Sequence, residues 1–181
     1  MDFVKTALEG LYIIKPKIFE DERGLFTRTY CKKEFQDLGL NADFVQFNHS
    51  FNKKRGTVRG MHYQRKPHSE IKLIRCVQGR VIDVAVDIRR SSPTFLNSVA
   101  VELSAENMLS ILIPAGFAHG FQTLEDNTSL IYHHTEFFQG DADAGLRPDD
   151  PKLSINWPLP FVNISDKDKT QKLINQDFKG I

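Results

Sequence analysis

Short apolar segments separated by turn-forming residues recur through the middle of the chain, at intervals of roughly a dozen residues. This spacing, with antiparallel turn chemistry, is typical of a sandwich or barrel of the jelly-roll type. We therefore predict an all-β fold with only a few short helices. The segments are IKLIRCV (71–77), VIDVAVDI (81–88), SVAVEL (98–103), LSILIP (109–114) and SLIYHH (129–134).

The first two segments are predicted to pair as a hairpin, because only Gln78-Gly79 and one further residue separate them. The second segment is apolar except for Asp83 and Asp87, so much of it should be buried. The alternation of segment 98–103 predicts a strand with one solvated face.

Two stretches have helical signals, and both are short. KKEFQDLGL (32–40) is predicted to form a helix ended by Gly39. Ser165 and Asp168 stand at capping-box spacing, so a helix or turn should begin there and extend over 165–174. The Gly-, Asp- and Pro-rich segment 138–160 is predicted to be an ordered loop laid over the sheet.

Length and charge limit the class of protein. A chain of 181 residues is expected to form one domain, spanning 1–181. Its net charge of +1 gives no global basic field, so neither nucleic acid nor a membrane is predicted as a partner. The N-terminal segment resembles neither a secretion signal nor a transmembrane helix. Cys31 and Cys76 suggest no disulfide framework or zinc site, and we expect a cytoplasmic protein.

His62, in VRGMHYQ (58–64), is the first candidate for chemistry. It is either a structural histidine hydrogen-bonded within the sheet or a general base, since imidazole titrates near neutrality. A base needs an acceptor on its other ring nitrogen. Nearby, the sequence offers only Glu70, so we expect a partner from elsewhere in the chain.

PAGFAHGF (114–121) matches the second half of the cupin signature, in which a Pro–Gly turn precedes an inward-pointing histidine, here His119. The first half of that signature has the wrong spacing in this chain. A metal site is conceivable, because imidazole and carboxylate are suitable ligands. The broken spacing disfavours it, and we predict no metal or other cofactor. The ligands of such a site would be His62, His68, Glu70 and His119.

Tyr132 lies in segment 129–134 and points to the face opposite Ile131. It is either a core aromatic residue or a proton donor, and periodicity does not choose between them. By alternation, His134 shares its face. Four cations are each either solvated or gathered around an anionic ligand such as a diphosphate. They are Arg23, Arg59, Lys72 and Lys167.

Taken together, these residues resemble one family over nearly the whole chain, the nucleotide-sugar epimerases of the dTDP-4-dehydrorhamnose 3,5-epimerase family. The combination of RGMHYQ with PAGFAHGF is specific. The matching motifs, in the family's order, are DERGLF (21–26), QFNHS (46–50), VRGMHYQ (58–64), the segment 72–95, PAGFAHGFQTL (114–124), DDPKLSINWP (149–158) and ISDKDK (164–169).

The resemblance implies a cupin-like jelly roll working as a homodimer without metal. The implied substrate is a nucleoside-diphosphate 4-keto-6-deoxyhexose, in deoxysugar or surface-polysaccharide synthesis. His62 matches the base that removes a proton beside the C4 ketone, and Tyr132 the acid that returns one from the other face. Asp168 matches the carboxylate that orients the histidine, and Lys72 the cation that stabilises the enolate oxygen.

Other positions match residues that contact the ligand. His119 matches a residue near the keto sugar. The positions that hold the diphosphate, base or sugar correspond here to Arg23, Gln46, Asn48, Arg59 and Lys167.

The chain departs from the family pattern at four positions. Phe138 replaces a tyrosine that helps to place the sugar, and the lost hydrogen bond is typically worth about 1 kcal/mol. We therefore predict inversion at C3 alone. Arg28 and Asp143 replace glutamates, and Pro148 replaces a tryptophan. These changes leave the nucleotide carrier open among dTDP, CDP and GDP.

The sequence leaves three alternatives open. Within the class, the chain would invert both C3 and C5 on the rhamnose route. In another class, it would be a metal-dependent cupin enzyme. The third alternative is a sugar-binding cupin that has no catalytic activity.

Overall fold

Two six-stranded sheets face each other in the computed structural model, which describes residues 1–181. The first sheet has the order β1 (Asp2–Lys5), β2 (Tyr12–Lys15), β10 (Ser110–Ile113), β7 (Lys72–Gln78), β12 (Thr128–His134) and β5 (Gln46–Asn52). The second has the order β13 (Asp143–Gly145), β6 (Thr57–Gln64), β11 (Phe117–Thr123), β8 (Arg80–Asp87) and β9 (Ser98–Ser104), with β14 (Asn163–Ile164) parallel to β6. A separate hairpin consists of β3 (Ile18–Asp21) and β4 (Gly24–Thr27), and the helices are α1 (Lys32–Gln36) and α2 (Asp166–Lys169). The predicted all-β jelly roll is confirmed.

The main core lies between the two sheets. Ile74 of β7 and Leu130 of β12 pack in one cluster with Val81 of β8 and Phe121 of β11. All four side chains are almost fully buried. Burial of a side chain of this size contributes about 1.5–3 kcal/mol, so this apolar layer holds the two sheets together.

The predicted hairpin of segments 71–77 and 81–88 is wrong. β7 pairs with β10 and β12 in the first sheet, whereas β8 pairs with β11 and β9 in the second. Gly79, at φ +72°, turns the chain from one sheet to the other. Both strands are largely buried and each already has two neighbours in its own sheet. A short turn with glycine therefore forms a corner of the sandwich here.

Both predicted helices exist in shortened form. α1 ends at Gln36, because the following residues close a turn in which the amides of Gly39 and Leu40 bond back to Gln36 and Phe35. The Oγ of Ser165 accepts from the amide of Asp168, as the capping spacing predicts, and α2 ends at Lys169. Neither helix has the length or apolar character needed to cross a membrane.

The segment 138–160 is ordered and covers the second sheet, as predicted. Its Leu146 and Leu153 are buried against Met61 of β6 and Val84 of β8. The one regular element that the sequence did not predict here is β13, which pairs with the end of β6.

The inner face of the first sheet changes from apolar to polar along β7 and β12. Leu130 lies opposite Cys76, Tyr132 opposite Ile74, and His134 opposite Lys72. The interior between the sheets therefore becomes polar at one end, and this end contains the residues that the sequence singled out.

Candidate active site

A cavity of about 330 Å³ opens between the sheets at the polar end of the interior. The second sheet contributes His62 from β6 and His119 from β11, and the first contributes Lys72 from β7 and Tyr132 from β12. Because the sheets face each other, a ligand in the cavity lies between these two pairs. Further predicted residues also line it: Asn48, Arg59, Phe138, Asp143 and Lys167.

His62 is held by a carboxylate from the far end of the chain. Its Nε2 lies 2.7 Å from Oδ1 of Asp168, whose Oδ2 accepts from the Gly60 amide at 3.3 Å. Burial raises the pKa of the Asp168 carboxyl, but the hydrogen bonds and charge of His62 and the Gly60 amide outweigh it and lower the pKa overall. An ionised Asp168 therefore accepts the Nε2 proton, which leaves Nδ1 of His62 with a lone pair that can accept a proton.

A bulge in β6 places Arg59 and His62 on the same face, although residues three apart in a strand normally point to opposite faces. His62 is opposite His119 and Arg59 is opposite Phe121, so three steps on β6 match two on β11. At Gly60, φ is +128°, and an added Cβ would lie 2.5 Å from the Cα of Gly120. Only glycine fits this close approach of the two strands.

The Lys72 ammonium is buried and has two partners. Its Nζ lies 3.2 Å from Oε1 of Glu70 and 3.4 Å from the carbonyl oxygen of His62. Glu70 also accepts from Nδ1 of His134 at 2.7 Å. Glu70 was the only acceptor that the sequence offered near His62, but it binds Lys72 and His134 instead.

Tyr132 faces the cavity with its hydroxyl 3.4 Å from Oγ of Ser50. Burial raises the pKa of Tyr132, although the Ser50 hydrogen bond opposes the shift. The phenol therefore keeps its proton and is available as a donor. Its ring is stacked on that of His134 at 6.1 Å, which confirms that the two residues share a face, whereas His133 packs on the other side against Phe47.

His119 is another imidazole that lines the cavity. Its Nε2 lies 2.9 and 3.0 Å from the two oxygens of the buried Asp83. Burial lowers the pKa of His119 despite the opposing charge of Asp83. A neutral His119 that donates its Nε2 proton to Asp83 has a lone pair on Nδ1, so it can accept one hydrogen bond from a hydroxyl of a ligand.

The chain matches the family described as dTDP-4-dehydrorhamnose 3,5-epimerase over residues 5–176. It belongs to this family. The enzyme of this name from Shigella flexneri is 44% identical over 180 residues, covering 98% of this chain and 99% of that protein. The family consists of isomerases that act on nucleotide sugars.

Solved structures agree with this assignment. The family member from Bacillus anthracis, crystallised with TDP and PPi bound, is 40% identical with a TM-score of 0.93, covering 96% of this chain and 99% of that one. ChmJ, a 3′-monoepimerase from Streptomyces bikiniensis in complex with dTDP-quinovose, is 30% identical with a TM-score of 0.85, covering 93% and 85%. Proteins of this fold therefore include both single and double epimerases.

The departures from the family pattern differ in their distance from the cavity. Phe138 lines the cavity mouth, where its amide bonds to Oε1 of Gln46 at 3.0 Å, and its ring is 61% exposed. Asp143 forms an ion pair with Lys167 at the rim. Arg28 pairs with Glu34 at 3.0 Å, outside the cavity, and Pro148 accepts from the indole of Trp157. Only Phe138 and Asp143 are placed to affect a ligand within one chain.

Two predicted contact residues do not line the cavity. Gln46 lies beside it, bonded to Asn48 at 3.3 Å and to the Phe138 amide. Arg23 lies on the β3–β4 hairpin, where its guanidinium pairs with Asp21 at 2.5 Å in solvent. The family resemblance predicts that Arg23 contacts the ligand, but within one chain this residue does not line the cavity.

The four residues of the conceivable metal site do not form a ligand set. No three His, Cys, Asp or Glu side chains come close enough together to hold a metal ion. Glu70 binds Lys72 and His134, and the closest carboxylate to His68 is Glu136, at 4.0 Å. The two cavity histidines of this set have other partners, since His62 bonds to Asp168 and His119 bonds to Asp83.

Proposed function

We propose that this protein epimerises a dTDP-linked 4-keto-6-deoxyhexose at C3 in deoxysugar biosynthesis. The observation that carries the proposal is the position of His62 and Tyr132 on opposite sheets of one cavity. His62 removes the proton at C3, beside the C4 ketone, to give an enolate. Tyr132 returns a proton from the other side, which inverts the centre.

The barrier for such a step depends on the enolate oxygen. A proton beside a ketone is weakly acidic, so a base needs both geometry and a stabilised oxyanion. Lys72 supplies a cation for this oxygen. Electrostatic stabilisation of this kind typically contributes about 10²- to 10³-fold per donor.

Charged groups at the rim support binding of a nucleoside diphosphate. Arg59 is exposed at the cavity with its Nε bonded to Asn52 at 2.7 Å, which leaves the guanidinium terminus for phosphate. Lys167 lies across the rim, beside Asp143. We propose dTDP as the carrier because the relatives are named for dTDP sugars and one was crystallised with TDP.

Inversion at C3 alone rests on Phe138, whose ring offers no hydroxyl to the sugar at the cavity mouth. The second candidate is inversion at both C3 and C5. It is favoured by the more similar relatives, which are named 3,5-epimerases. The two outcomes differ in which carbons exchange with solvent.

We further propose a cytoplasmic homodimer. The β3–β4 hairpin exposes 54% of Phe19, 48% of Leu25 and 71% of Phe26, an apolar surface that a second copy would cover. Arg23, in the same hairpin, would then lie at the interface between the two copies. Light scattering tests this: we expect a dimer that Phe26→Glu dissociates, and a wild-type monomer at micromolar concentration would contradict it.

The test of function is incubation with the 4-keto sugar in heavy water, followed by NMR, with dTDP, CDP and GDP carriers compared. We expect deuterium and inversion at C3 of the dTDP sugar. Exchange and inversion at both carbons would establish the second candidate instead. No exchange with any carrier would contradict an epimerase and favour a binding protein. Activity lost in chelator and restored by stoichiometric iron or zinc would favour the metal-dependent alternative.

A further inference from the structure

Glu70 is a buried acid at the cavity that the proposed mechanism leaves without a role. It lines the cavity with its side chain only 8% exposed. Its two oxygens have separate partners, since Oε1 lies 3.2 Å from Nζ of Lys72 and Oε2 lies 2.7 Å from Nδ1 of His134. One carboxylate thus joins the cation of the mechanism to a histidine of the neighbouring strand.

Lys72 needs a counter-charge in this position. The residue is 7% exposed, and an ammonium withdrawn from water tends to lose its proton unless an anion lies nearby. The other acids near the cavity are already engaged, since Asp143 pairs with Lys167, Asp168 binds His62 and Asp83 binds His119. Glu70 is the only carboxylate in contact with Lys72. Three histidines are the other titratable groups around this ammonium: His62 of β6, His119 of β11 and His134 of β12. His62 bonds to Asp168 of α2, and His119 bonds to Asp83 of β8.

His134 fixes the carboxylate in turn. Its ring is held from both sides, because Nδ1 bonds to Glu70 and Nε2 lies 3.2 Å from Nδ2 of Asn48. The cross-strand register places His134 directly opposite Lys72, so the Glu70 carboxylate bridges neighbouring positions of one sheet. Burial raises the pKa of Glu70, but the His134 hydrogen bond and the Lys72 charge outweigh it and lower the pKa, so the group is an anion.

We infer that Glu70 is a positioning residue for the proposed epimerisation: its carboxylate, anchored by His134, keeps Lys72 charged and holds the ammonium between the two sheets, where the enolate oxygen develops. Glu70 itself does not contact the reacting atoms. A purely structural ion pair would leave the pH dependence of the reaction unchanged, whereas a counter-charge to the proposed catalytic cation would change it. The inference rests on the proposed function.

Glu70→Gln tests it, because the amide keeps the shape and an acceptor for His134 but removes the charge. We expect kcat to fall about 10- to 100-fold while KM stays within about threefold. The alkaline limb of the pH–kcat profile should move to lower pH by about one unit or more. Glu136→Gln is the matched control, since this carboxylate lies outside the cavity and should leave kcat and the profile unchanged.

Glu70→Asp tests whether the position of the carboxylate matters in addition to its charge. It keeps the anion but withdraws it by one methylene, so kcat should fall while the alkaline limb stays near its wild-type pH. A wild-type kcat in Glu70→Gln, or a reduced kcat with an unmoved alkaline limb, would overturn the inference. Should Glu70→Gln not fold, a wild-type kcat in Glu70→Asp would overturn the positioning role. Wild-type protein is assayed first. If it does not exchange the C3 proton, the proposed function fails. If the wild type is active and Glu70→Gln has the same kcat, only the inference about Glu70 is refuted.

Discussion

Nε2 of His62 lies 2.7 Å from Oδ1 of Asp168, although 106 residues separate them in sequence. Two local features bring them together. The Ser165 cap starts α2, and the bulge at Gly60 turns the His62 side chain into the cavity while the Gly60 amide binds the second carboxylate oxygen. The orientation of the proposed base therefore depends on the C-terminal end of the chain.

Asp168→Asn should strongly reduce turnover. An amide at this position no longer favours the His62 tautomer with its lone pair on Nδ1, and it does not stabilise the imidazolium that forms when His62 takes a proton. We expect kcat to fall roughly 10²- to 10⁴-fold, with dTDP affinity nearly unchanged. Steady-state kinetics and calorimetry of dTDP binding measure the two quantities.

Asp166→Asn provides the matched control in the same helix. The Asp166 carboxylate is exposed and pairs with Lys169 at 3.7 Å, outside the cavity, so its loss should leave kcat unchanged. A kcat within about threefold of wild type in Asp168→Asn would contradict the assigned role.

Gly60→Ala should destabilise the protein. The added methyl would meet the Cα of Gly120 at 2.5 Å and the carbonyl oxygen of His119 at 2.8 Å, and φ is +128°. Clash and backbone strain together predict a loss of more than about 2 kcal/mol in the free energy of unfolding. Urea denaturation checks this against Gly140→Ala, which has open space and no positive φ. Equal stability of the two variants would show that β6 and β11 do not approach so closely.

Phe138→Tyr should change which carbons exchange. The ring stands at the cavity mouth and its amide is fixed by Gln46, so a new hydroxyl would point towards the bound sugar. We expect the ratio of C5 to C3 deuterium incorporation to rise at least about threefold, since one hydrogen bond is worth about 1 kcal/mol. NMR of the product in heavy water measures this ratio. An unchanged ratio would remove Phe138 as the determinant of single inversion.

Asp87→Asn should lower the free energy of unfolding at neutral pH, but this effect should disappear in acid. Burial raises the pKa of Asp87, but hydrogen bonds from Arg89, Ser92 and Thr94 bring it to about 2. Because the unfolded value is near 3.9, the unfolded state binds more protons between these values. The contribution, about 2 kcal/mol, is therefore present above about pH 4 and lost as pH falls towards 2.

Unfolding by urea from pH 2 to pH 7 tests the Asp87 prediction. The difference between wild type and Asp87→Asn should shrink as the pH falls. Asp141→Asn, whose exposed carboxylate makes no hydrogen bond, should follow the wild type throughout. A difference that does not depend on pH would contradict a role for the Asp87 charge.

Sequence alternation correctly predicted which side chains of β12 share a face. Tyr132 and His134 share that face, as expected from a regular strand, and the capping signal of Ser165 placed α2 correctly. The resemblance identified most cavity residues, because motif positions are kept in order along one fold. Patterns of this kind depend on local geometry, which the sequence encodes directly.

The errors arose where the chain leaves regular geometry or where a partner is distant. Gly79 forms a corner between sheets rather than a hairpin turn, and both arrangements use glycine with positive φ. The β6 bulge cannot be read from alternation. The sequence suggests Glu70 only as a partner for His62 or a metal, because its partners Lys72 and His134 are brought together by cross-strand register.

The central claim is that His62 and Tyr132 exchange protons with C3 from opposite faces. Proton exchange by His62→Asn and Tyr132→Phe, measured by NMR in heavy water on the dTDP 4-keto sugar, tests it most directly. His62→Asn should give neither deuterium at C3 nor inversion. Tyr132→Phe should still incorporate deuterium, since His62 can return it from the same face, but with the configuration retained. Inversion at the wild-type rate in either variant would contradict the two-face mechanism.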